Sequence, residues 1–291
     1  MAKLKRAIIF IKSDSTEVLH ATRTIVEHLK QIKHDYVFTE ETAKYLPDIK
    51  APCVKIQALP KDCDHLIVIG GDGSLLSAAK PAAHQNKPVI GINLGTVGFL
   101  TDVSPTDLHG LSEMLSGQYV TEKRALLQAQ CTDHAPHYAL NDIVISRHAA
   151  RLLAYDVFID DAFICSQRSD GLIISTPTGS TAHALSAGGP IIHPQLQALS
   201  LVPLCPHRLN SRPIIIPATH KIDLYLTTHT AMQDSVLSCD GLDLGYDSLT
   251  HVSISQAHAT LKLLHPKHYN YFETLKSKLH WEKSPPLEDN I

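Results

Sequence analysis

Residues 66–74 read Leu66-Ile67-Val68-Ile69-Gly70-Gly71-Asp72-Gly73-Ser74. Four branched apolar residues describe a strand buried on both faces, the mark of a parallel sheet. The strand breaks into glycines, whose missing Cβ lets the backbone turn and approach a ligand closely. Asp72 is the acid of that turn, at the carboxyl end of a strand, where open α/β sheets bind ligands. Ser74 to Ala79 then opens a helix, and a helix N-terminus attracts phosphate. Gly70, Gly71 and Gly73 are therefore candidates for a phosphate loop. The same four residues also suit a tight βα turn with Asp72 as a cap. Spacing excludes G-x-x-x-x-G-K-[ST] and G-x-G-x-x-G.

Outward from this stretch, β and α patterns alternate. Ala7–Ile11 is an apolar strand, and Val18, Leu19, Thr22, Ile25, Val26 and Leu29 form a helical stripe. Tyr36–Phe38 suggests a second strand, Thr39–Tyr45 a weaker helix and Pro88–Ile92 a further strand. Residues 1–102 are expected to form a Rossmann-like α/β domain with a parallel sheet. The last strand runs into Asn93-Leu94-Gly95-Thr96-Val97-Gly98, a second Gly-punctuated loop at the same sheet edge. Gly95 joins the phosphate-loop candidates there.

Beyond Pro105 the texture changes. After a short helix at Asp107–Leu115, short alternating runs dominate: 126–131, 138–145, 153–159, 162–166, 172–175, 214–216, 221–226, 235–239, 251–255 and 259–264. Their spacing is that of an all-β domain, so residues 103–268 are expected to form a β-sandwich. Tyr271, Phe272, Leu275 and Leu279 make a helix face, expected within 269–291 to complete the first domain. Residues 284–291 should fray.

The bulk numbers exclude several classes. The 291 residues are 44% hydrophobic and carry a net charge of -3, with both signs interspersed. Neither a nucleic-acid footprint nor a polybasic membrane patch is present. Six cysteines without a C-x-x-C pair point to a reducing compartment, the cytoplasm, rather than a disulfide or zinc framework. No apolar run approaches the ~20 residues of a membrane helix.

Two further stretches carry chemistry. Leu140-Asn141-Asp142-Ile143 places an amide beside a carboxylate, a pair suited to ribose hydroxyls or adenine edges and equally to a hairpin cap. Residues 167–194 read QRSDGLIISTPTGSTAHALSAGGPIIHP. Arg168 and Asp170 flank Gly171. Thr176, Thr178, Ser180 and Thr181 offer four hydroxyls to a pyrophosphate, with Ser180 or Thr181 as the cap of a helix through Ser186.

Together, GGDG at 70–73, NLGTVGFLTD at 93–102, LNDIVI at 140–145 and SDGLIISTPTGSTAHALSAGGPI at 169–191 resemble the bacterial NAD kinases. The likeness continues through LVPLCPHRLNSRP at 201–213 and YNYFETLKSKLHW at 269–281. It implies transfer of the ATP γ-phosphoryl to the adenosine-ribose 2′-hydroxyl of NAD, with a divalent cation, Mg²⁺, whose ligands it does not assign. It implies Asp72 as the catalytic acid–base group. It also implies NAD contacts at Asp72, Gly73, Asn141, Asp142, Arg151, Arg168, Asp170, Thr181, Ala182, His183, Ala184, Leu185 and Ser186. A homodimer or homotetramer is implied, with partner chains helping to form the NAD pockets. Some members of the family accept NADH, and some accept polyphosphate in place of ATP. The family usually has Tyr where His183 stands, and often Gln where Leu242 stands. Two other readings compete: a GGDG-type kinase of a diacylglycerol-like lipid, and an NAD-sensing module without turnover.

Overall fold

The computed structural model describes residues 3–95, 98–131, 134–147, 152–227, 235–246 and 248–281. The chain divides into two compact units, Met1–Glu122 with Leu261–Ile291, and Lys123–Thr260.

In unit 1, strands β1 (Arg6–Phe10), β2 (Asp35–Thr39), β3 (Cys53–Val54), β4 (His65–Ile69) and β5 (Val89–Ile92) lie parallel in the order β3-β2-β1-β4-β5. Leu66 to Ile69 are fully buried, as a strand covered on both faces requires. Helix α1 (Thr16–Gln31) buries Val18, Ala21, Thr22, Ile25, Val26 and Leu29, one stripe at helical spacing. The Ser15 hydroxyl caps it by accepting from the Val18 amide. Each large apolar side chain so buried contributes about 1.5–3 kcal/mol. Helix α2 is Glu40–Tyr45 and α3 is Asp72–His84. Helix α4 (Leu108–Leu115) joins this core through Leu111, Met114 and Leu115, alongside Ile9, Ile11 and Leu29. Residues 103–122, grouped above with the β-rich part, thus fall in unit 1.

Unit 2 holds two antiparallel sheets. One contains β9 (Leu153–Ile159), β10 (Ala162–Ser169), β14 (Ile222–Leu226) and β17 (His251–Pro266), in the order β10-β9-β14-β17. The other contains β8 (Asp142–Arg147), β11 (Gly171–Ser175), β12 (Ala198–Leu204), β13 (Ile214–Pro217), β15 (Ser235–Cys239) and β16 (Leu242–Asp243), in the order β13-β12-β11-β8-β15-β16. Ile143, Ile145, Leu172, Ile174 and Leu237 of the second sheet share a core with Tyr155, Val157, Leu224 and Val252 of the first. That is sandwich packing. Strands β6 (Tyr119–Cys131) and β7 (His137–Ala139) pair with each other. The division between units falls within β6 and β17, and the last part of β17 pairs parallel to β5 through Leu263 and Val89.

Several elements differ from expectation. The run 138–145 is broken at Leu140-Asn141, because their amides donate to the Asp240 carboxylate instead of a neighbouring strand. The runs 251–255 and 259–264 are one strand, β17. Strand β12 is not among the runs read from the sequence; it pairs with β11, and Pro203 sits in the ladder opposite Leu172. Helix α6 (Tyr271–Leu279) buries Tyr271, Thr274 and Leu275 but leaves Phe272 57% exposed, so its apolar face is narrower than the sequence suggests. Residues 284–291 lie outside the described residues.

Candidate active site

Each unit contributes one cluster. In unit 1, the end of β4 is shaped by Gly70, whose φ of +144° suits glycine, and where a Cβ would strike Ser74. Gly71, Gly73 and Gly95 carry no such demand: added β-carbons there would meet nothing within 4 Å. Their value is bare backbone at an open surface. Helix α3 begins at Asp72 itself, with Gly71 as a cap that has no side chain to offer.

Asp72 does not serve as a cap in its own turn. Its Oδ2 accepts from the Phe99 amide at 2.9 Å, and its Oδ1 accepts from the Leu100 amide at 3.1 Å and the Thr101 hydroxyl at 3.2 Å. The two glycine loops are therefore joined by this carboxylate. The second loop is braced in turn. Asn93 accepts from the Gly95 amide at 2.9 Å and donates to the Thr101 carbonyl at 3.0 Å. The Val103 amide donates to the Gly91 carbonyl at 3.2 Å. Gly91 allows that approach, since a Cβ there would lie 2.8 Å from the Leu100 carbonyl oxygen. Thr96 and Val97 lie outside the described residues.

In unit 2, Asn141, Asp142, Val144, Ser146, Ala182, His183, Ser238, Asp240 and Gly241 line a cavity of about 390 Å³. Strand alternation explains the lining. Ile143 and Ile145 face the sandwich core, whereas Asp142, Val144 and Ser146 face the other way. Asp142 is 5% exposed. Burial, joined by the negative charge of Asp240, pushes its carboxyl up to about 7. Asp240 is itself anchored by amides: Oδ2 accepts from Leu140 at 2.9 Å and Oδ1 from Asn141 at 2.7 Å.

Sequence reasoning missed Asp240. The available signal was the dipeptide Asp240-Gly241, a hairpin turn between β15 and β16 with φ of +51° and +77°.

The hydroxyls of residues 176–181 correct an expectation. Thr176 Oγ1 donates to the Leu140 carbonyl at 2.6 Å and accepts from the Gly179 amide at 3.1 Å. Ser180 Oγ donates to the Pro177 carbonyl at 2.6 Å and accepts from the Ile192 amide at 2.9 Å. Thr181 Oγ1 donates to the Thr178 carbonyl at 3.2 Å, and Arg124 reaches Thr178 Oγ1 at 3.4 Å. These groups hold the loop together rather than facing a pyrophosphate. The helix cap is Ala182, not Ser180 or Thr181, and the helix itself, α5, spans only His183–Ser186. Small polar residues are buried here because each finds a hydrogen-bond partner, backbone for Thr176 and Ser180 and the Arg124 side chain for Thr178.

The structure thus brings Asn141, Asp142, Ala182 and His183 to one cavity. Thr181, Leu185 and Ser186 do not line it, and Ala184 is buried against Val144, Ile173 and Val202. Arg168 is exposed and lines a different depression with Asp156, His207 and Arg208. Asp170 is exposed, its amide bonded to the Leu204 carbonyl at 2.9 Å. Arg151 lies outside the described residues. Among the described residues, no group of three or more His, Cys, Asp or Glu side chains converges to hold a metal ion. No helix among them is long and apolar enough to cross a membrane.

A glycine loop presenting a fixed carboxylate, together with a sandwich bearing an Asn-Asp cavity, defines a nucleotide-handling phosphotransferase class. Comparison narrows this. Residues 7–119 match the ATP-NAD kinase N-terminal domain and residues 140–265 the ATP-NAD kinase C-terminal domain. An NAD kinase of Coxiella burnetii is 43% identical over 263 residues, 88% of each chain. One from Thiobacillus denitrificans is 40% identical over 281 residues, 94% of this chain and 95% of the other. The crystal structure of yeast NADH kinase complexed with NADH superposes with a TM-score of 0.86 at 25% identity, over 98% of this chain and 90% of that one. An Archaeoglobus fulgidus NAD kinase in complex with ATP shares the fold, with a TM-score of 0.73 at 24% identity over 94% and 99% of the two chains. The chain belongs to the ATP-NAD kinase family. Neither the lipid-kinase reading nor the silent NAD sensor finds support in these matches.

Proposed function

We propose that this chain phosphorylates the adenosine-ribose 2′-hydroxyl of NAD with ATP, and that Asp72 accepts the hydroxyl proton. The observation that carries the role of Asp72 is its carboxylate, oriented by three donors from residues 99–101 at the mouth of a glycine loop. A ribose hydroxyl is a weak nucleophile at neutral pH. A positioned base contributes roughly 10²–10⁴-fold. The remainder comes from alignment and from neutralising phosphate charge. The bare backbone at Gly71, Gly73 and Gly95 suits that second task.

Asn141 and Asp142 bind NAD in this reading: the amide donates and accepts, and the carboxyl completes the pairing. A divalent cation, Mg²⁺, would supply further neutralisation of the phosphate charge. Polyphosphate as donor and NADH as acceptor are variants of the same proposal. A cytoplasmic location belongs to the same proposal, and six cysteines without a C-x-x-C pair support it. A homodimer or homotetramer is supported by the exposed Phe163 and Ile164 of edge strand β10.

The test is Asp72→Asn, with product read by an NADP-specific dehydrogenase. Turnover should drop about 100-fold or more while NAD binding persists. Near wild-type kcat in the variant refutes the role of Asp72.

A further inference from the structure

His265, near the end of β17, is 1% exposed and sits between two carboxylates of unit 1. Its Nδ1 lies 2.8 Å from Asp102 Oδ2, and its Nε2 lies 3.2 Å from Glu122 Oε2. The Tyr269 ring stacks on the imidazole, with centroids 3.9 Å apart and planes 9° from parallel. Three chain segments meet at this ring: the loop after β5, the start of β6 and the end of β17. Nothing in the proposed phosphoryl transfer touches it.

The cluster has a definite proton requirement. Two nearly buried carboxylates facing a neutral imidazole would leave two uncompensated charges. An imidazolium leaves one: its Nδ1 hydrogen-bonds Asp102, and its Nε2 stands at ion-pair distance from Glu122. Burial pulls the imidazole pKa down, but the hydrogen bonds and charges of Asp102 and Glu122 outweigh it and hold His265 above its ordinary value. Asp102, Glu122 and the stacked Tyr269 are the titratable groups facing the ring. On deprotonation the Nδ1–H can stay with Asp102. The Nε2 lone pair then faces a carboxylate oxygen at 3.2 Å, acceptor against acceptor.

Asp102 directly follows Phe99, Leu100 and Thr101, the three residues whose donors hold Asp72. We infer that His265 is a positioning residue for Asp72: by clamping Asp102 against Glu122 it fixes the 99–101 donors, so turnover depends on the imidazole keeping its proton. The inference rests on Asp72 being the base. Small displacements of a reacting group are costly, about 100-fold for 1 Å. A loosened clamp therefore lowers kcat without touching the groups that hold NAD.

The full chain, assayed with NAD and MgATP from neutral to alkaline pH, gives the test. Wild-type kcat should fall along an alkaline limb. In His265→Gln that limb disappears, kcat at neutral pH drops about tenfold or more, and KM for NAD changes little. In Glu122→Gln the limb moves to lower pH, because the carboxylate that raises the imidazole is gone and the new amide can donate to the deprotonated Nε2. An alkaline limb unchanged in both variants overturns the inference. If His265→Gln does not fold, judged by its melting curve, the position of the limb in Glu122→Gln decides alone. Asp72→Asn separates the two readings. If it keeps turnover, the assignment of the base has failed. If it is inactive while the limb stays fixed in Glu122→Gln, only the role of His265 has failed.

Discussion

Gly98 and Asp72 are so close that a β-carbon on the glycine would occupy the space of the Asp72 carboxylate, and would also press on the Thr101 hydroxyl. The glycine is thus part of the seat for the carboxylate, although it makes no side-chain contact of its own. Its amide donates to the Thr101 carbonyl at 2.7 Å, closing the turn that aims the three donors.

Gly98→Ala is accordingly expected to displace Asp72 rather than unfold the chain. With Asp72 as the base, a shift of the carboxylate by 1 Å costs about 100-fold in turnover. The expected result is a large fall in kcat with KM for NAD nearly unchanged. Steady-state kinetics beside a melting curve would show it. A variant with wild-type kcat would mean that the carboxylate position is not critical.

Asp142 makes stability pH-dependent. The folded protein keeps a proton on this carboxyl up to about pH 7, whereas the ordinary value is 3.8. Between these values the folded state binds more protons than the unfolded one, so stability falls as pH rises through the window and levels off above it. The full loss is at most about 4 kcal/mol. Asp142→Asn removes the dependence, since an amide carries no proton to lose. Urea denaturation should find the variant more stable than wild type on the alkaline side, with the gap closing as pH falls towards the ordinary carboxylate range. A gap independent of pH would show that the raised value is not linked to folding.

How far these features could be read from the sequence follows their range along the chain. The strand leading to Asp72 was legible because four buried apolar residues and the glycines after them form one local pattern. The sandwich was legible from alternation alone. The partner of Asp142 was not, because Asp240 lies about a hundred residues away and reaches it only through strand pairing, which a single sequence does not display. The hydroxyls of residues 176–181 show the opposite limit. Their identity was plain, but composition does not say whether a small polar group points outward to a ligand or inward to a carbonyl. His265 was hidden for a similar reason. In the run Leu263–Pro266 it is one polar residue among apolar neighbours, and both of its carboxylates come from elsewhere.

Ser180 offers a test of that inward-pointing loop. Its hydroxyl is fully buried, donates to the Pro177 carbonyl at 2.6 Å and accepts from the Ile192 amide at 2.9 Å. Replacing it with alanine leaves a buried N–H without its acceptor, which costs about 1–3 kcal/mol. The loop it ties down leads directly to Ala182 and His183 on the cavity wall. Ser180→Ala should therefore lower the denaturation midpoint and raise KM for NAD together. The exposed Ser186 supplies the contrast, since Ser186→Ala should change stability by less than about 0.5 kcal/mol. Had Ser180 served as a phosphate ligand instead, its loss would weaken NAD binding with no change in stability. Denaturation and binding measured on the same variant separate the two cases.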